Sequence, residues 1–95
     1  MIILTPSEKQ ALRHSILEYL VERARFYFDA PAITRALQRR AYVDFNIDVD
    51  NVREALTFLE EFRHLKIKID DLGSTKVYAA SAQGVLAEER RQSES

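Results

Sequence analysis

Lys66, Lys68 and Lys76 stand in "LKIKIDDLGSTKVY", where apolar and polar residues alternate on both sides of a glycine-containing turn. Ammonium groups projecting from one face of an extended hairpin, with Tyr78 beside them, can hold phosphate oxygens. Two such groups directly opposed repel each other unless an anion lies between them. A second basic set, Arg35, Arg39 and Arg40, closes "PAITRALQRR". Its guanidinium groups suit phosphate contact, or could be neutralised as surface ion pairs with the chain's own acid. That acid is concentrated. Between Asp44 and His64 six Asp or Glu oppose two Lys or Arg, whereas Met1 to Val43 carries seven basic residues against four acidic. Any anion-binding role must accommodate this acidic block.

Other chemistries find little support. The 95 residues include no cysteine, which excludes disulfides, thiolate zinc sites and cysteine nucleophiles, and favours a reducing, cytoplasmic setting. His14 and His64 are isolated in sequence. "DFNIDVDN" resembles the oxygen-rich start of a calcium loop, but Val49 occupies the place of the sharp-turn glycine and Ala55 that of the bidentate glutamate. No nucleophile elbow, phosphate-cradling glycine loop or zinc-hydrolase pattern is present, so neither enzymatic activity nor a metal or cofactor is expected. "MIILTPSEK" lacks a basic n-region and its apolar run stops after four residues, the pattern of neither a signal peptide nor an anchor. Nothing later approaches the roughly 20 apolar residues of a membrane span. With 46% hydrophobic and 31% charged residues, the composition is that of one globular domain over 1–95, with a polar frayed tail at about 92–95.

Three helices should position the basic groups. In "TPSEKQALRHSILEYLVERAR", Thr5 caps, Pro6 takes the first helical position and Glu8 completes a capping box. Leu12, Ile16, Leu17, Leu20, Val21 and Ala24 form the apolar stripe. "FYF" reads as a short strand. Asp29, before Pro31, caps a second helix that turns Ile33, Ala36 and Leu37 inward. A third helix starts near Asp48 or Asp50 and buries Val52, Ala55 or Leu56, Leu59 and Phe62. Its outward positions are Asn51, Arg53, Glu54, Thr57, Phe58 and Glu61. The hairpin follows. A three-residue loop of Asp71, Leu72 and Gly73 would pair Ile67 with Val77 and Lys66 with Tyr78, and set Lys68 against Lys76. "FYF" could add a third strand at its edge. Ser81 can cap a short helix over Val85 to Arg91.

This order, with "YFDAPAITRALQRR" leading into "DVDNVREALTFLEEFRHLKIKID", resembles the winged helix-turn-helix fold of DNA-binding domains. The spacing is similar to that of ArsR-like small regulators and of small helix-turn-helix proteins of Mu-like phages. The resemblance implies a mainly helical α+β fold. It would have a three-helix core, a two- to three-stranded antiparallel wing and a short C-terminal helix. It also implies double-stranded DNA as partner, in transcriptional regulation of a prokaryote or phage, with the third helix in the major groove and the wing on phosphates. On that implication Asn51 would read adenine, Arg53 guanine and the Thr57 methyl thymine. Arg35, Arg39, Lys66, Lys68, Lys76 and Tyr78 would contact phosphates. Two-fold DNA sites favour a homodimer, for which "MIIL" and the Val85–Leu86 helix are candidate surfaces. An acidic third helix weakens attraction to a polyanion. The alternative is therefore a protein-interaction module that keeps the fold and presents Glu54, Phe58 and Glu61.

Overall fold

Thr5 holds extended geometry, and its hydroxyl accepts from the Glu8 N–H at 3.1 Å while the Glu8 carboxylate accepts from the Thr5 N–H at 2.9 Å. This reciprocal cap satisfies two otherwise orphaned donors and starts helix α1 (Pro6–Glu22) where the sequence places it. The computed structural model describes residues 1–70, 73 and 75–94. Along α1, Leu12, Ile16, Leu17, Tyr19 and Leu20 are buried at helical spacing. Ala24, expected in the same stripe, lies beyond the helix end and is exposed.

Helix α2 (Ala30–Arg39) is capped by the Asp29 carboxylate, which accepts from the Ala32 N–H at 2.8 Å. It buries Ile33, Thr34 and Leu37, and the Thr34 hydroxyl donates to the Ala30 carbonyl. Helix α3 (Val49–Glu61) begins at Asp48. Both helices end in the same device. The Tyr42 N–H reaches the Leu37 carbonyl and the Ala41 N–H that of Gln38, while His64 and Arg63 repeat the pattern on Leu59 and Glu60. These paired bonds require a left-handed residue just past the helix. Ala41 (φ 54°) and Arg63 (φ 60°) adopt that geometry without being glycine.

The chain then forms an antiparallel hairpin of β1 (Leu65–Ile69) and β2 (Lys76–Ala80). Its register differs by one residue from the expectation. Ile67 lies opposite Tyr78, Lys68 opposite Val77 and Ile69 opposite Lys76. The Asp70 N–H donates to the Thr75 carbonyl at 2.8 Å and the Gly73 N–H to the Asp70 carbonyl at 2.8 Å, so the turn spans one residue more than expected. Gly73 does have positive φ, 72°. Asp71 and Leu72 of the expected three-residue loop lie outside the described residues. Phe28 anchors the register by exchanging both backbone hydrogen bonds with Tyr78, at 2.9 and 2.8 Å. That single bridge is all that "FYF" contributes to the sheet, in place of a third strand.

Ser81 caps the last helix as expected, its hydroxyl accepting from the Gly84 N–H at 3.1 Å. That helix, α4 (Ala82–Glu94), is longer than Val85–Arg91 and takes in residues 92–94 of the expected frayed tail; Ser95 lies outside the described residues. It seats on α1 through the buried Gly84 and Glu88, leaving Leu86 exposed. A methyl group on Gly84 would come within 2.2 Å of the His64 carbonyl oxygen, so no side chain fits this close approach.

Leu12, Ile16, Leu20, Ile33, Leu37, Val52 and Leu56 are fully buried, and Leu65, Ala80 and Tyr78 join them from the hairpin. At about 1.5–3 kcal/mol per fully buried large side chain, this junction of α1, α2, α3 and the sheet's inner face is the main source of stability. The hairpin therefore leans on the helices. The fold is mainly helical α+β, with four helices and a two-stranded antiparallel sheet among the described residues.

Candidate nucleic-acid interface

Residues opposed across a sheet share a face. The observed register therefore puts Lys66 and Lys68 on one face with the buried Ala79 and half-buried Val77, and puts Lys76 and Tyr78 on the other face with Ile69 and Ile67. Lys66, Lys68 and Lys76 are all exposed, but the expected row of three lysines beside a tyrosine does not form. Nor does Lys68 oppose Lys76, so the repulsion expected between them is absent. The extra turn residue shifts β2 by one place and flips every one of its side chains. Lys76 ends at the hairpin tip. Tyr78 is half-buried against the core. Burial holds its phenol above the usual tyrosine range; Glu60 adds to that effect and Arg53 opposes it. Tyr78 thus remains neutral and packs rather than standing beside the lysines. In its place Tyr27 supports the face of Lys66 and Lys68, with the Lys68 ammonium 4.4 Å from its ring centroid. Tyr27 alternates with Phe28, which faces inward onto Tyr19 at 5.4 Å, so the period of "FYF" carries the signal for an outward Tyr27.

On α2, Arg35 and Arg39 are exposed, as is Arg40 just beyond its end. None of these arginines, and none of the three hairpin lysines, is in an ion pair among the described residues. Three of the six acidic residues of the block are engaged elsewhere. Glu54 meets Lys9 at 3.5 Å, Asp50 meets Arg53 at 3.6 Å, and Asp48 accepts from the Ile2 N–H at 3.0 Å. The intramolecular neutralisation weighed for the α2 arginines therefore does not occur among these residues.

On α3 the three base-reading candidates part company. Asn51 is 5% exposed. Its side chain accepts from the Asp48 N–H at 3.0 Å and donates to the Ile2 carbonyl at 2.7 Å. It closes a capping box and ties residues 1–4 to the start of α3, so it is not available to a base. The Asp48 carboxyl is held below the usual range, chiefly by the Asn51 N–H. Arg53 and Thr57 are exposed. The Arg53–Asp50 pair, with both side chains more than half exposed, is worth about 0–1 kcal/mol and can open at little cost. The Thr57 hydroxyl donates to the Arg53 carbonyl at 3.0 Å, which leaves its methyl outward. Glu54 and Glu61 are exposed as expected, and Phe58, which a small rotation of the helix would have buried in the core, is exposed as well. Phe62 was expected in the core but is 56% exposed, because α3 ends at Glu61 and Phe62 caps it. It stacks on Phe58 at 4.8 Å instead.

Glu88, a carboxylate outside these positions, is only 1% exposed. Its carboxylate accepts from Arg91, at 3.0 Å from Nε and again from Nη2, and from Gln92 at 3.2 Å. The i, i+3, i+4 spacing of these partners was the visible clue. Among the described residues no group of three or more His, Asp or Glu could hold a metal ion, and no helix is long and apolar enough to cross a membrane.

Known structures match this arrangement. A transcriptional regulator from Clostridium thermocellum, Cth-833, superposes with a TM-score of 0.77 over 98% of this chain and 87% of its own, at 15% identity. The fold is shared with solved transcriptional regulators. The E41A mutant of Lactococcus lactis ZitR superposes with a TM-score of 0.61 at 15% identity, over 83% of this chain; the match takes in about half, 49%, of that chain. No protein-family model matches the sequence, and no curated protein does.

Proposed function

We propose that the chain is a DNA-binding winged-helix regulator of prokaryotic or phage setting, not an enzyme, acting as a homodimer. The observation that carries this reading is a set of free cations: Arg35 and Arg39 on α2 and Lys66, Lys68 and Lys76 on the hairpin are exposed and in no ion pair among the described residues. The fold shared with regulators supports it. Arg35, Arg39, Lys66, Lys68 and Lys76 hold phosphates, and Arg53 and Thr57 face the base edges. Asn51 serves only to fix the start of the reading helix, and Tyr78 to seat the wing. One copy contributes few phosphate contacts, so two copies on a two-fold site are needed for useful affinity.

The test is fluorescence anisotropy on duplex DNA as salt is raised. The logarithm of affinity should fall linearly with log salt, and replacing Lys66 and Lys68 with alanine should reduce the slope by about 1.8, or 0.9 per lost phosphate contact. An unchanged slope removes the wing from the interface. A second reading is favoured by the acid on α3 and the exposure of Phe58, 37%: a module that docks a protein through Glu54, Phe58 and Glu61. It becomes the better account if no duplex binds even at about 50 mM salt, where phosphate contacts are strongest.

A further inference from the structure

A groove of about 600 Å³ runs between α1, α3 and α4, within the size range of small-molecule sites. Its floor is apolar: Leu17, Leu59 and Ala87. Along one wall stand four stacked groups. The Arg13 guanidinium lies 3.6 Å from the Phe58 centroid, Phe58 4.8 Å from Phe62, and Phe62 6.0 Å from the His64 ring. Flat groups thus line up along the edge of a cleft, with Phe62 more than half exposed.

We infer that this groove binds a small planar aromatic monoanion, its ring against Phe58 and Phe62 and its carboxylate between Arg13 and Arg91. The charges of the lining decide the sign. Lys9, Arg13 and Arg91 line the groove with one carboxylate, Glu88, and three carboxylates touch these cations: Glu88, Glu54 and Glu18. Glu88 is buried and its oxygens are taken by Arg91 and Gln92, whereas Glu54 meets Lys9 from outside the lining. Arg91 also reaches Glu18 at 3.4 Å, yet its side chain is 36% exposed and presents donors to the cleft. Arg13 is in no ion pair among the described residues. The groove therefore offers stacking surface and unspent positive charge together, the pairing an aromatic carboxylate fits. His14 lies at the same end. Burial and the charges of Arg91 and Arg13 lower its pKa, against Glu88, which raises it. A neutral imidazole can donate to the bound carboxylate. Phe58 is adjacent to Thr57, so an occupant would press on the helix proposed to face the duplex. The inference does not depend on that reading, because its test contains no DNA.

The probe is 1-naphthoate, titrated into the protein while the ring resonances of Phe58, Phe62 and His14 are followed by NMR. Saturable one-to-one shifts are expected, with the His14 titration midpoint moving upward in the complex as the anion offsets Arg13 and Arg91. Phe62→Ala and Arg13→Gln alter exposed or half-exposed side chains and should weaken binding about tenfold each, with circular dichroism unchanged. Absence of saturable shifts overturns the inference, as does equal binding of 1-naphthylmethylammonium. It is also overturned if sedimentation shows a dimer that occludes the groove and naphthoate leaves it intact.

Discussion

Asn51 and His14 show how a side chain's surroundings set its task. Asn51 is polar and stands near the start of a helix, a position equally suited to capping and to reading a base. The structure gives both ends of its amide to protein partners, at 3.0 and 2.7 Å. Asn51→Ala should therefore cost about 1 kcal/mol or somewhat more in urea unfolding, the usual value of a helix cap. It should loosen residues 1–4 and leave DNA affinity at fixed salt unaltered. A large loss of affinity at full stability would return Asn51 to the base-reading set. For His14, burial and the neighbouring arginines lower the native pKa below its ordinary 6.5. The unfolded chain then takes up the proton first as pH falls. Unfolding free energy should thus decrease from about pH 6.5 down to the native pKa and level off below it. His14→Gln should flatten that part of the pH profile, measured by urea midpoints. A slope that survives the substitution assigns the titration elsewhere.

The elements differ in how far neighbouring residues alone define them. Helices α1, α2 and α3 are set by side chains within a turn of each cap and by apolar spacing along each helix. The starts at Thr5 and Asp29 were accordingly legible, and that of α3 to within Asp48 or Asp50. The hairpin's existence was legible too, from alternation and Gly73. Its register was not, since alternation alone favours Ile67 against Val77, whereas the observed pairing sets Lys68 against Val77 and Ile69 against Lys76. The choice falls to contacts the hairpin does not contain, the Phe28–Tyr78 bridge above all. Helix α4 was underestimated because its inward face carries Gly84 and Glu88 rather than a greasy stripe. That seating makes a sharp prediction. Gly84→Ala forces a methyl against the His64 carbonyl and should destabilise by about 1–3 kcal/mol, the cost of overpacking, even though alanine favours a helix more than glycine does. Thermal unfolding checks it, and a rise in stability would mean that α4 does not sit against residue 64 in solution.

Across the whole molecule the governing feature is where charge is spent. A net charge of −1 gives little attraction to a polyanion. The tertiary arrangement compensates by engaging Asp48, Asp50 and Glu54 with groups other than the arginines of α2 or the lysines of the hairpin. A single reversal tests this at the scale of the field. Glu54→Lys removes the exposed partner of Lys9 and should raise nonspecific DNA affinity several-fold at low salt, with the gain fading as screening shortens its reach. Anisotropy at two salt concentrations measures it. No change at low salt would mean that α3 faces away from the duplex and would strengthen the protein-docking reading.

The sequence alone determined what depends on neighbours in the chain: three capped helices, a hairpin after the third, a basic front and an acidic block. Caps and periodicity act within a few residues, so they survive any packing. The tertiary structure decided what depends on distant neighbours. It chose the hairpin register, buried Asn51 and Glu88, exposed Phe62, and separated the paired from the unpaired cations. Each of those outcomes turns on which other element covers a side chain, and no local spacing encodes that.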